Sequence, residues 1–399
     1  MGTSMKVVVI SNALYHHQIP FSLEMENLVG IGNFYFIATS PPGEEQLKLG
    51  YQDGNREYPF VITTYNHDNQ EEIVNLVEDA DLVIWGGAPH LIALSMVKKR
   101  IKQNKIIFRY SERIFKKGMW RAFTPARIAY MLFLHTRFRK KPIYMLCASA
   151  YLPYELDLFK AYPNKMFRWG YFPPLIEYDI KQLMEKKQNS VIKLLWVGRF
   201  IDWKHPEVVL EVCRLLMNEG FIFHCDIIGR GKLEGLLRTK IDEYKLSEYV
   251  SICGAMSPEK VRGKMEEANI LLSTSDFHEG WGAVINEAMN SGCTVIASHA
   301  IGSVPILIKH RINGMVYKNG DTIDLYHKII ELILNEKLQY HIGIAAYSTI
   351  VDKWNATVAA SSLISLFDSI SSNNSITSFK KDGPCSKTEV ISQRNYYKF

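Results

Sequence analysis

Long apolar runs and grouped metal-binding residues are both scarce in this chain of 399 residues. No apolar run approaches the roughly 18 residues that a membrane-spanning helix needs, and the run after Lys6 is too short for a signal peptide. The six cysteines are scattered without a Cys-x-x-Cys pair, and no histidine pair has ligand spacing, which argues against a zinc site and a disulfide framework. We therefore expect a cytoplasmic protein without a membrane-spanning segment.

Acidic residues are almost absent from 98–141. This stretch holds 15 Lys or Arg and a single acid, Glu112, so it carries +14 while the rest of the chain is −8 within a net charge of +6. A local excess of this size predicts one face that meets an anionic surface or ligand. No nucleic-acid-binding module accompanies the charge, so we do not expect a nucleic-acid partner.

A helix is predicted inside this basic stretch, because Thr124-Pro125 is a favourable helix start. Apolar residues that include Ile128 and Met131 fall near one side of it, and basic residues cluster at 137–141. Two interpretations stay open. Either the helix lies on an anionic membrane surface, or it packs on a sheet and carries a solvated basic rim.

Strands and helices alternate along the whole chain, which predicts α/β architecture with doubly wound parallel sheets. The first alternation gives an N-terminal domain over 1–175, a linker over 176–190 and a second domain over 191–350. A helix over 351–370 packs on either domain, with a return to the first as one option, and the Ser- and Asn-rich stretch 371–399 is predicted to be disordered. In such sheets ligands bind beyond the carboxyl ends of the strands, so loops at 12–21, 86–89 and 109–112 should line one crevice.

The stretch 273–292 is the most informative part of the second domain. It reads as the end of a buried strand, a loop with Asp276 and Glu279, and a helix opened by Gly280 and Gly282. Glycines at a helix start expose N–H groups that attract phosphate. Glu287 follows Glu279 by eight residues, which on one helix gives a separation of roughly 12 Å along the axis. The two carboxylates therefore suit two ends of one long ligand better than a shared proton, although a solvated pair beside a glycine turn is the plainer alternative.

Two cations follow the first strand of the second domain. Gly198-Arg199 ends that strand and Lys204 comes five residues later, so both charges should face the loop that carries Glu279 and could neutralise a diphosphate. Two ordinary surface cations are the alternative. Gly229-Arg-Gly231 repeats the arrangement after a later strand, where the glycines either approach a ligand or only permit a tight turn.

Together these residues resemble a known family. Gly198-Arg199 with Lys204, Gly229-x-Gly231, Gly254 after a strand, and Glu279-Gly280-Trp281-Gly282 with Glu287 are similar to the motifs of retaining GT-B glycosyltransferases of the family 4 type. The resemblance is strong over roughly 190–300 and weak in the N-terminal half. It implies two Rossmann-like domains that face a central cleft.

The resemblance also implies roles for the residues. Arg199 and Lys204 would act on the donor diphosphate as catalytic groups, Glu279 on the sugar hydroxyls and Glu287 on the nucleotide ribose. Backbone near Gly254 would hold the base, with Gly198, Gly229, Gly280, Trp281 and Gly282 in the rest of the donor site. No metal or other cofactor is implied, since such enzymes stabilise the leaving diphosphate with cations and helix dipoles.

The N-terminal half departs from the family pattern. Members often place a histidine in a loop that faces the donor sugar, whereas the corresponding loop here reads Arg109-Tyr-Ser-Glu112. Arg109, Glu112, His16 or His17 takes that place, and Asn12 stands at the end of the first strand. These five are the candidate contacts to acceptor or sugar, and both histidines are equally compatible with satisfied loop residues.

The resemblance implies a retaining transferase that moves a hexose from a nucleotide sugar to a carbohydrate or lipid-linked acceptor in surface polysaccharide synthesis. A UDP-sugar is the expected donor and GDP-mannose the alternative. The enzyme would work at the cytoplasmic face of the membrane, with 98–141 as its contact to anionic lipid. A non-catalytic nucleotide-sugar-binding subunit and an epimerase on the same fold are the other hypotheses.

Overall fold

A computed structural model describes residues 5–43, 53–66, 70–188, 191–372 and 382–393. The chain divides into two compact domains. The first domain contains the described residues up to Pro174 together with Asn355–Ser392, and the second contains Leu175–Trp354. Each domain is built around one parallel sheet.

The first domain holds a seven-stranded sheet in the order β3-β2-β1-β4-β5-β6-β7, paired in parallel throughout. β1 and β4 are buried along their whole length, as expected for strands covered by helices on both faces. The seven strands are β1 Val7–Ser11, β2 Phe34–Ala38, β3 Val61–Thr63, β4 Leu82–Gly86, β5 Ile107–Ser111, β6 Ile143–Cys147 and β7 Met166–Arg168.

The second domain holds a six-stranded sheet in the order β10-β9-β8-β11-β12-β13, also parallel. Its core joins the sheet to helix Pro206–Asn218, which buries Val209, Cys213 and Leu216 at helical spacing. The six strands are β8 Ile192–Val197, β9 Phe223–Ile228, β10 Val250–Gly254, β11 Ile270–Ser273, β12 Thr294–Ser298 and β13 Met315–Tyr317.

Helices cover both faces of each sheet. In the first domain they are Ile19–Val29, Gly54–Glu57, Gln70–Asp79, His90–Lys102, Pro125–Leu134, Leu152–Asp157 and Ala356–Ser371, with 3-10 turns at Met119–Phe123 and Thr136–Phe138. In the second they are Ile180–Lys186, Pro206–Asn218, Glu234–Glu243, Pro258–Glu267, Val284–Asn290, Val304–Leu307, Thr322–Leu334 and Glu336–Asp352, with a 3-10 turn at Asp202–Lys204. Among the helices of the described ranges, none has the length and apolarity needed to span a membrane.

The predicted α/β class with two doubly wound parallel sheets is confirmed. The chain between the domains differs from the expected linker over 176–190, since helix Ile180–Lys186 occupies part of it. Asp179 caps this helix by accepting from the backbone N–H groups of Lys181 and Gln182, at 3.1 and 3.2 Å. Leu183 and Met184 are buried, so the segment belongs to the second domain.

The predicted disorder over 371–399 is wrong for 382–393. Cys385 and Ser386 are fully buried, and Lys387 forms an antiparallel bridge with Phe167 on β7. The Arg168 N–H donates to the Ser386 carbonyl at 2.7 Å. β7 is the last strand of its sheet, and an exposed edge offers unpaired backbone groups that a tail can satisfy. The other residues of that stretch, 373–381 and 394–399, lie outside the described residues.

Candidate functional site

The strand order of the second domain sets two loops beside each other at the carboxyl edge of its sheet. β8 pairs with β9 on one side and with β11 on the other, so the chain order reverses between β8 and β11. The chain leaves β8 toward Arg199 and leaves β11 toward Glu279. A reversal of this kind opens a crevice in which α/β proteins bind ligands.

Lys204 and Glu279 meet at this edge as an ion pair between Nζ and Oε2. Each side chain is 16% exposed, so the pair is reachable from solvent but largely shielded. The Ser275 hydroxyl donates to the same Glu279 oxygen at 3.1 Å, and the Lys204 carbonyl accepts the Thr274 hydroxyl at 2.6 Å. Thr274 in turn accepts from the buried Trp196 indole at 2.9 Å, which ties the site to the core. A cation and a carboxylate predicted to serve the same ligand are thus in contact.

Arg199 lies at the exposed part of the same edge. Its guanidinium carbon is 5.6 Å from the centroid of the Trp203 ring, a distance suited to a cation–π contact. Trp203 stacks in turn on His278, with ring centroids 6.2 Å apart. The Trp203 carbonyl accepts from the Asp276 N–H at 2.9 Å, so the β8 loop and the β11 loop are joined by backbone as well as by side chains.

His205 is a part of this site that sequence reasoning missed. Its backbone is left-handed, with φ 49° and ψ 50°, a conformation that glycine adopts far more readily. Its Nδ1 lies 2.9 Å from Glu207 Oε1 and its Nε2 lies 3.3 Å from Asp276 Oδ2. These contacts to Asp276 and Glu207 raise the pKa of His205 to about 9, so the imidazole is a cation at neutral pH. Through Asp276, His205 links the loop that carries Lys204 to the loop that carries Glu279.

The glycines near β8 allow neighbouring backbone segments to approach each other closely. A Cβ at Gly229 would lie 1.8 Å from the Gly198 carbonyl oxygen, and one at Gly231 would lie 2.4 Å from that of Phe200. The Phe200 N–H also donates to the Arg230 carbonyl at 2.8 Å. Of the two interpretations left open for Gly229 and Gly231, these contacts support the tight turn. Gly254 ends β10 with φ +71°, and its carbonyl accepts a hydrogen bond from the Gly229 N–H at 2.9 Å.

The predicted helix start at Gly280 and Gly282 is displaced. The helix begins only at Val284, so both glycines lie in the preceding loop. Gly282 has φ +83°, and a Cβ there would approach the Ile301 side chain to 3.0 Å, so the loop packs where a larger residue would crowd it.

The Trp281 side chain, which was predicted to belong to the donor site, is wholly buried. Its indole N–H donates to Asn286 Oδ1 at 2.9 Å, and its ring lies 6.0 Å from that of Trp354. The side chain therefore anchors the loop in the core.

Glu287 lies in helix Val284–Asn290, beyond the Lys204–Glu279 pair in sequence. Burial raises the pKa of its carboxyl, and the positive charge of Arg262 lowers it in part. Arg262 also donates to the Glu287 carbonyl at 3.0 Å and to Asn290 Oδ1 at 3.1 Å. The structure thus holds Glu287 on a helix that Arg262 fastens to its neighbours.

The first domain has its own pocket, of about 520 Å³, at the carboxyl edge of its sheet. Asn12, His17, Arg109 and Glu112 contribute to its lining, as the crevice prediction requires. His17 stacks on the Tyr171 ring at 4.1 Å. Glu112 accepts from the Tyr171 hydroxyl at 2.6 Å and pairs with Lys116. His16 instead contacts the edge of the His17 ring.

Arg109 lines this pocket but is only 3% exposed, and its role as a substrate contact stays a prediction. Its Nη1 is engaged inside the domain, because it donates to the Tyr162 hydroxyl at 2.6 Å and to the Leu134 carbonyl. The guanidinium also lies 4.2 Å from the Trp85 ring centroid. His90, which sequence reasoning missed, lines the same pocket, and its Nδ1 is 3.4 Å from Arg109 Nη2. Burial lowers the pKa of His90 to about 4 and that of His17 to about 3, so both imidazoles are neutral near pH 7.

Within the described ranges, no three or more His, Cys, Asp or Glu side chains gather closely enough to hold a metal ion. Lys204 and His205 contact the Glu279 loop as cations, and Arg199 lies against Trp203, whose ring stacks on His278 of that loop.

The segment that carries this arrangement also matches a known family. Residues 179–349 match the family described as "Glycosyl transferases group 1". The match covers less than half of the chain. All the residues of the Lys204–Glu279 site lie inside the matched segment.

Curated relatives share part of the chain. The amylovoran biosynthesis glycosyltransferase AmsK of Erwinia amylovora is 29% identical over 185 residues, which is 45% of each chain. The poly(ribitol-phosphate) alpha-N-acetylglucosaminyltransferase of Staphylococcus aureus strain COL is 25% identical over 174 residues, 43% of this chain and 34% of that protein. The chain thus spans less than half the length of these relatives.

Solved structures share the fold of both domains. Anabaena HepE in complex with UDP has a TM-score of 0.68 at 14% identity, and covers 92% of this chain and 100% of that one. The two Rossmann-like domains match those of GT-B glycosyltransferase structures.

Proposed function

We propose that this protein is a retaining glycosyltransferase of the family 4 type. It transfers a hexose from a nucleotide sugar to a carbohydrate or lipid-linked saccharide in surface polysaccharide synthesis. The observation that carries the proposal is the Lys204–Glu279 ion pair at the point where the strand order of the second domain reverses, with Arg199 on the same loop as Lys204.

The pair is suited to exchange partners when a donor binds. A diphosphate brings negative charge that competes with Glu279 for the Lys204 ammonium, and charge-assisted contacts to phosphate are strong. Glu279 then has carboxylate oxygens available for the hydroxyl groups of the sugar, while the exposed Arg199 reaches the phosphate from the other side of the loop. Glu287, farther along the chain, is proposed to meet the ribose.

The proposed step needs no protein base. The bond between the sugar C1 and the diphosphate oxygen breaks, and the acceptor hydroxyl oxygen bonds to C1 on the same face, through an oxocarbenium-like transition state. The acceptor proton passes to the departing phosphate oxygen. Charge grows on the leaving group during this step, and fixed cations at that position lower the barrier without a metal ion. Lys204 and Arg199 are the proposed cations.

A UDP-sugar is the proposed donor and GDP-mannose the alternative. Support for UDP comes from Anabaena HepE, which has the same fold and was solved with UDP. The naming of AmsK for amylovoran biosynthesis supports a role in surface polysaccharide synthesis.

We further propose that the first-domain pocket takes the saccharide acceptor. The stacked rings of His17 and Tyr171 offer an apolar face for a sugar ring, and Asn12 and Glu112 offer polar groups for its hydroxyls. The protein is proposed to work at the inner face of the membrane, where a lipid-linked acceptor would be met.

Two substitutions test the donor site. Lys204→Ala should weaken binding of free UDP by about tenfold or more, since one charge-assisted contact to phosphate is lost. Glu279→Ala should bind UDP at least as tightly as the wild type, because the carboxylate that competes for Lys204 is gone, but it should lower transfer by at least about a hundredfold. Lys193→Ala is the matched control, because Lys193 pairs with Glu267 at 3.3 Å at the opposite end of β8. Thermal shifts with UDP, GDP and ADP report the binding, since a ligand of the folded state raises its stability.

Full transfer activity in the Glu279→Ala protein would remove Glu279 from the site. A non-catalytic nucleotide-sugar-binding subunit is separated from an enzyme by slow hydrolysis of the donor, which only an enzyme performs. An epimerase would interconvert the sugar without an acceptor.

A further inference from the structure

The basic stretch 98–141 carries fewer outward charges than its composition suggests. Arg100, Arg109 and Arg113 are buried, and each has partners inside the first domain. Arg100 donates to the carbonyls of Asp81 and Ile106 at 3.0 Å, and Arg113 pairs with the buried Glu155 at 3.0 Å. These three stabilise the fold. The remaining excess is directed outward at positions such as 117, 137, 139 and 140.

Helix Pro125–Leu134 inside this stretch exposes apolar side chains to solvent. A helix on a soluble protein normally turns polar residues to solvent. Here every exposed position of the helix is apolar: Pro125, Ala126, Ile128, Ala129, Leu132 and Phe133. Leu132 and Phe133 are 49% and 48% exposed. Arg127 is the one charged residue of the helix, and its side chain lies half-buried against the Tyr130 ring.

The 3-10 turn Met119–Phe123 packs against this helix and adds two large exposed rings. Trp120 is 66% exposed and Phe123 is 73% exposed. Together with Phe133 they make up three of the four exposed aromatic side chains among the described residues. Arg121 lies 5.7 Å from the Trp120 ring centroid, so a cation flanks the aromatic cluster.

Arg137 joins the helix to an apolar groove beside it. Its guanidinium carbon lies 3.7 Å from the Phe133 ring centroid and 4.4 Å from that of Phe138. The groove, of about 540 Å³, has an apolar floor and a basic rim; its lining includes Leu94, Ile101, Phe138, Lys98, Lys102 and Lys141. Apolar surface bordered by cations thus continues from the helix into this groove.

We propose that this surface, the aromatic-basic surface formed by Trp120, Phe123, Leu132, Phe133 and their flanking Arg and Lys residues, docks into the headgroup region of an anionic lipid bilayer. Exposed Trp and Phe suit the boundary between headgroups and acyl chains, and the cations match the lipid phosphates. The proposal rests on the membrane location given under the proposed function, and it names the residues that make the contact. A second copy of the chain would place these cations against one another, which disfavours it as the occupant.

Sedimentation with vesicles tests the docking. The wild-type protein should bind vesicles that contain phosphatidylglycerol and leave those of phosphatidylcholine alone, with binding that weakens as salt rises. Combined Phe123→Ser and Phe133→Ser substitution should lower the partition by at least about tenfold. Ile31→Ser is the matched control, because Ile31 is 91% exposed in the same domain outside this surface.

Charge has its own pair of variants. Arg121→Gln should lower the partition by about fivefold, the effect of one cation at an anionic surface. Arg56→Gln removes the same charge from the same domain, at a side chain that is 87% exposed, and should leave binding unchanged. An equal effect of both substitutions would reduce the contact to net charge and overturn the surface assignment.

Fluorescence supplies a site-specific readout. Trp85, Trp169, Trp196, Trp281 and Trp354 are buried and Trp203 is half-buried in the second domain, whereas Trp120 is exposed. Anionic vesicles should shift the emission to the blue, and Trp120→Phe should abolish that shift.

Absence of both sedimentation and blue shift would overturn the proposal, as would a concentration-dependent dimer that the Phe133→Ser substitution abolishes. All variants should keep the UDP thermal shift. This separates failure of docking, with the shift retained, from failure of the donor assignment, in which no nucleotide stabilises the wild-type protein.

Discussion

Replacing His205 by alanine should destabilise the protein at neutral pH and have little effect near pH 10. His205 lies between Glu207 and Asp276, and these contacts raise its pKa from 6.5 to about 9. A group with a raised folded-state pKa stabilises the fold fully below its unfolded pKa. That stabilisation declines above pH 6.5 and is lost as the pH rises through about 9.

The size of the effect follows from the pKa difference and the exposure of the ring. A pKa raised from 6.5 to about 9 corresponds to roughly 3 kcal/mol at full strength. The imidazole is 35% exposed, so solvent screening reduces this to about 1 kcal/mol. The left-handed backbone at φ 49° acts in the opposite direction, since a side chain there costs roughly 1–2 kcal/mol.

Alanine and glycine separate these two contributions. His205→Ala keeps the strained backbone and loses the ion pairs, so it should lower the free energy of unfolding by about 1 kcal/mol near pH 6.5 and hardly at all near pH 10. His205→Gly also relieves the strain, so it should be about 1 kcal/mol more stable than wild type near pH 10. Urea unfolding at the two pH values measures both. A loss in His205→Ala that is the same at both pH values would refute the charged bridge.

Two further pairs of substitutions test the packing of the glycines near β8 and the buried ion pair of the first domain. Gly229→Ala should cost at least about 2 kcal/mol, because its Cβ would overlap the Gly198 carbonyl, whereas Gly254→Ala meets open space and should cost about 1 kcal/mol, as urea unfolding will show. Glu155→Ala should cost about 3–5 kcal/mol in thermal or urea unfolding, because Arg113 would stay buried without its partner. Glu234→Ala, at an exposed pair with Arg238, should cost less than about 1 kcal/mol, and equal losses would contradict the burial argument.

The sequence predicted the central strands of both sheets well, because fully buried parallel strands are continuous apolar runs such as that of β1. β3, β7 and β13 cannot be predicted in this way, because they are three residues long and leave no periodic pattern. Helix Ala356–Ser371 was predicted, but its place was left open. It belongs to the first domain and packs on helix Ile19–Val29, a long-range contact that no local pattern encodes.

The sequence placed Lys204 opposite the loop that carries Glu279, and the structure confirms that these two residues are neighbours. Lys204 and Glu279 are in contact, since adjacent parallel strands deliver their loops to the same edge. His205 was missed because its role depends on a left-handed backbone and on a contact to Asp276, 71 residues away in sequence. The burial of the Trp281 side chain could not be predicted, because an aromatic residue between two glycines looks the same in sequence whether it faces a ligand or the core.

The return of helix Ala356–Ser371 to the first domain has a consequence for how the chain folds during synthesis. The whole second domain, 175–354, is an insertion between two parts of the first. At a translation rate of about 5–20 residues per second, synthesis of the inserted domain alone takes roughly 10–35 s, and only then is the helix made that completes the first domain. During that interval helix Ile19–Val29, which buries Phe21 and Met25 in the finished fold, lacks the Ala356–Ser371 partner. The first domain to be started on the ribosome is therefore the last to be finished, and the inserted domain can fold ahead of it.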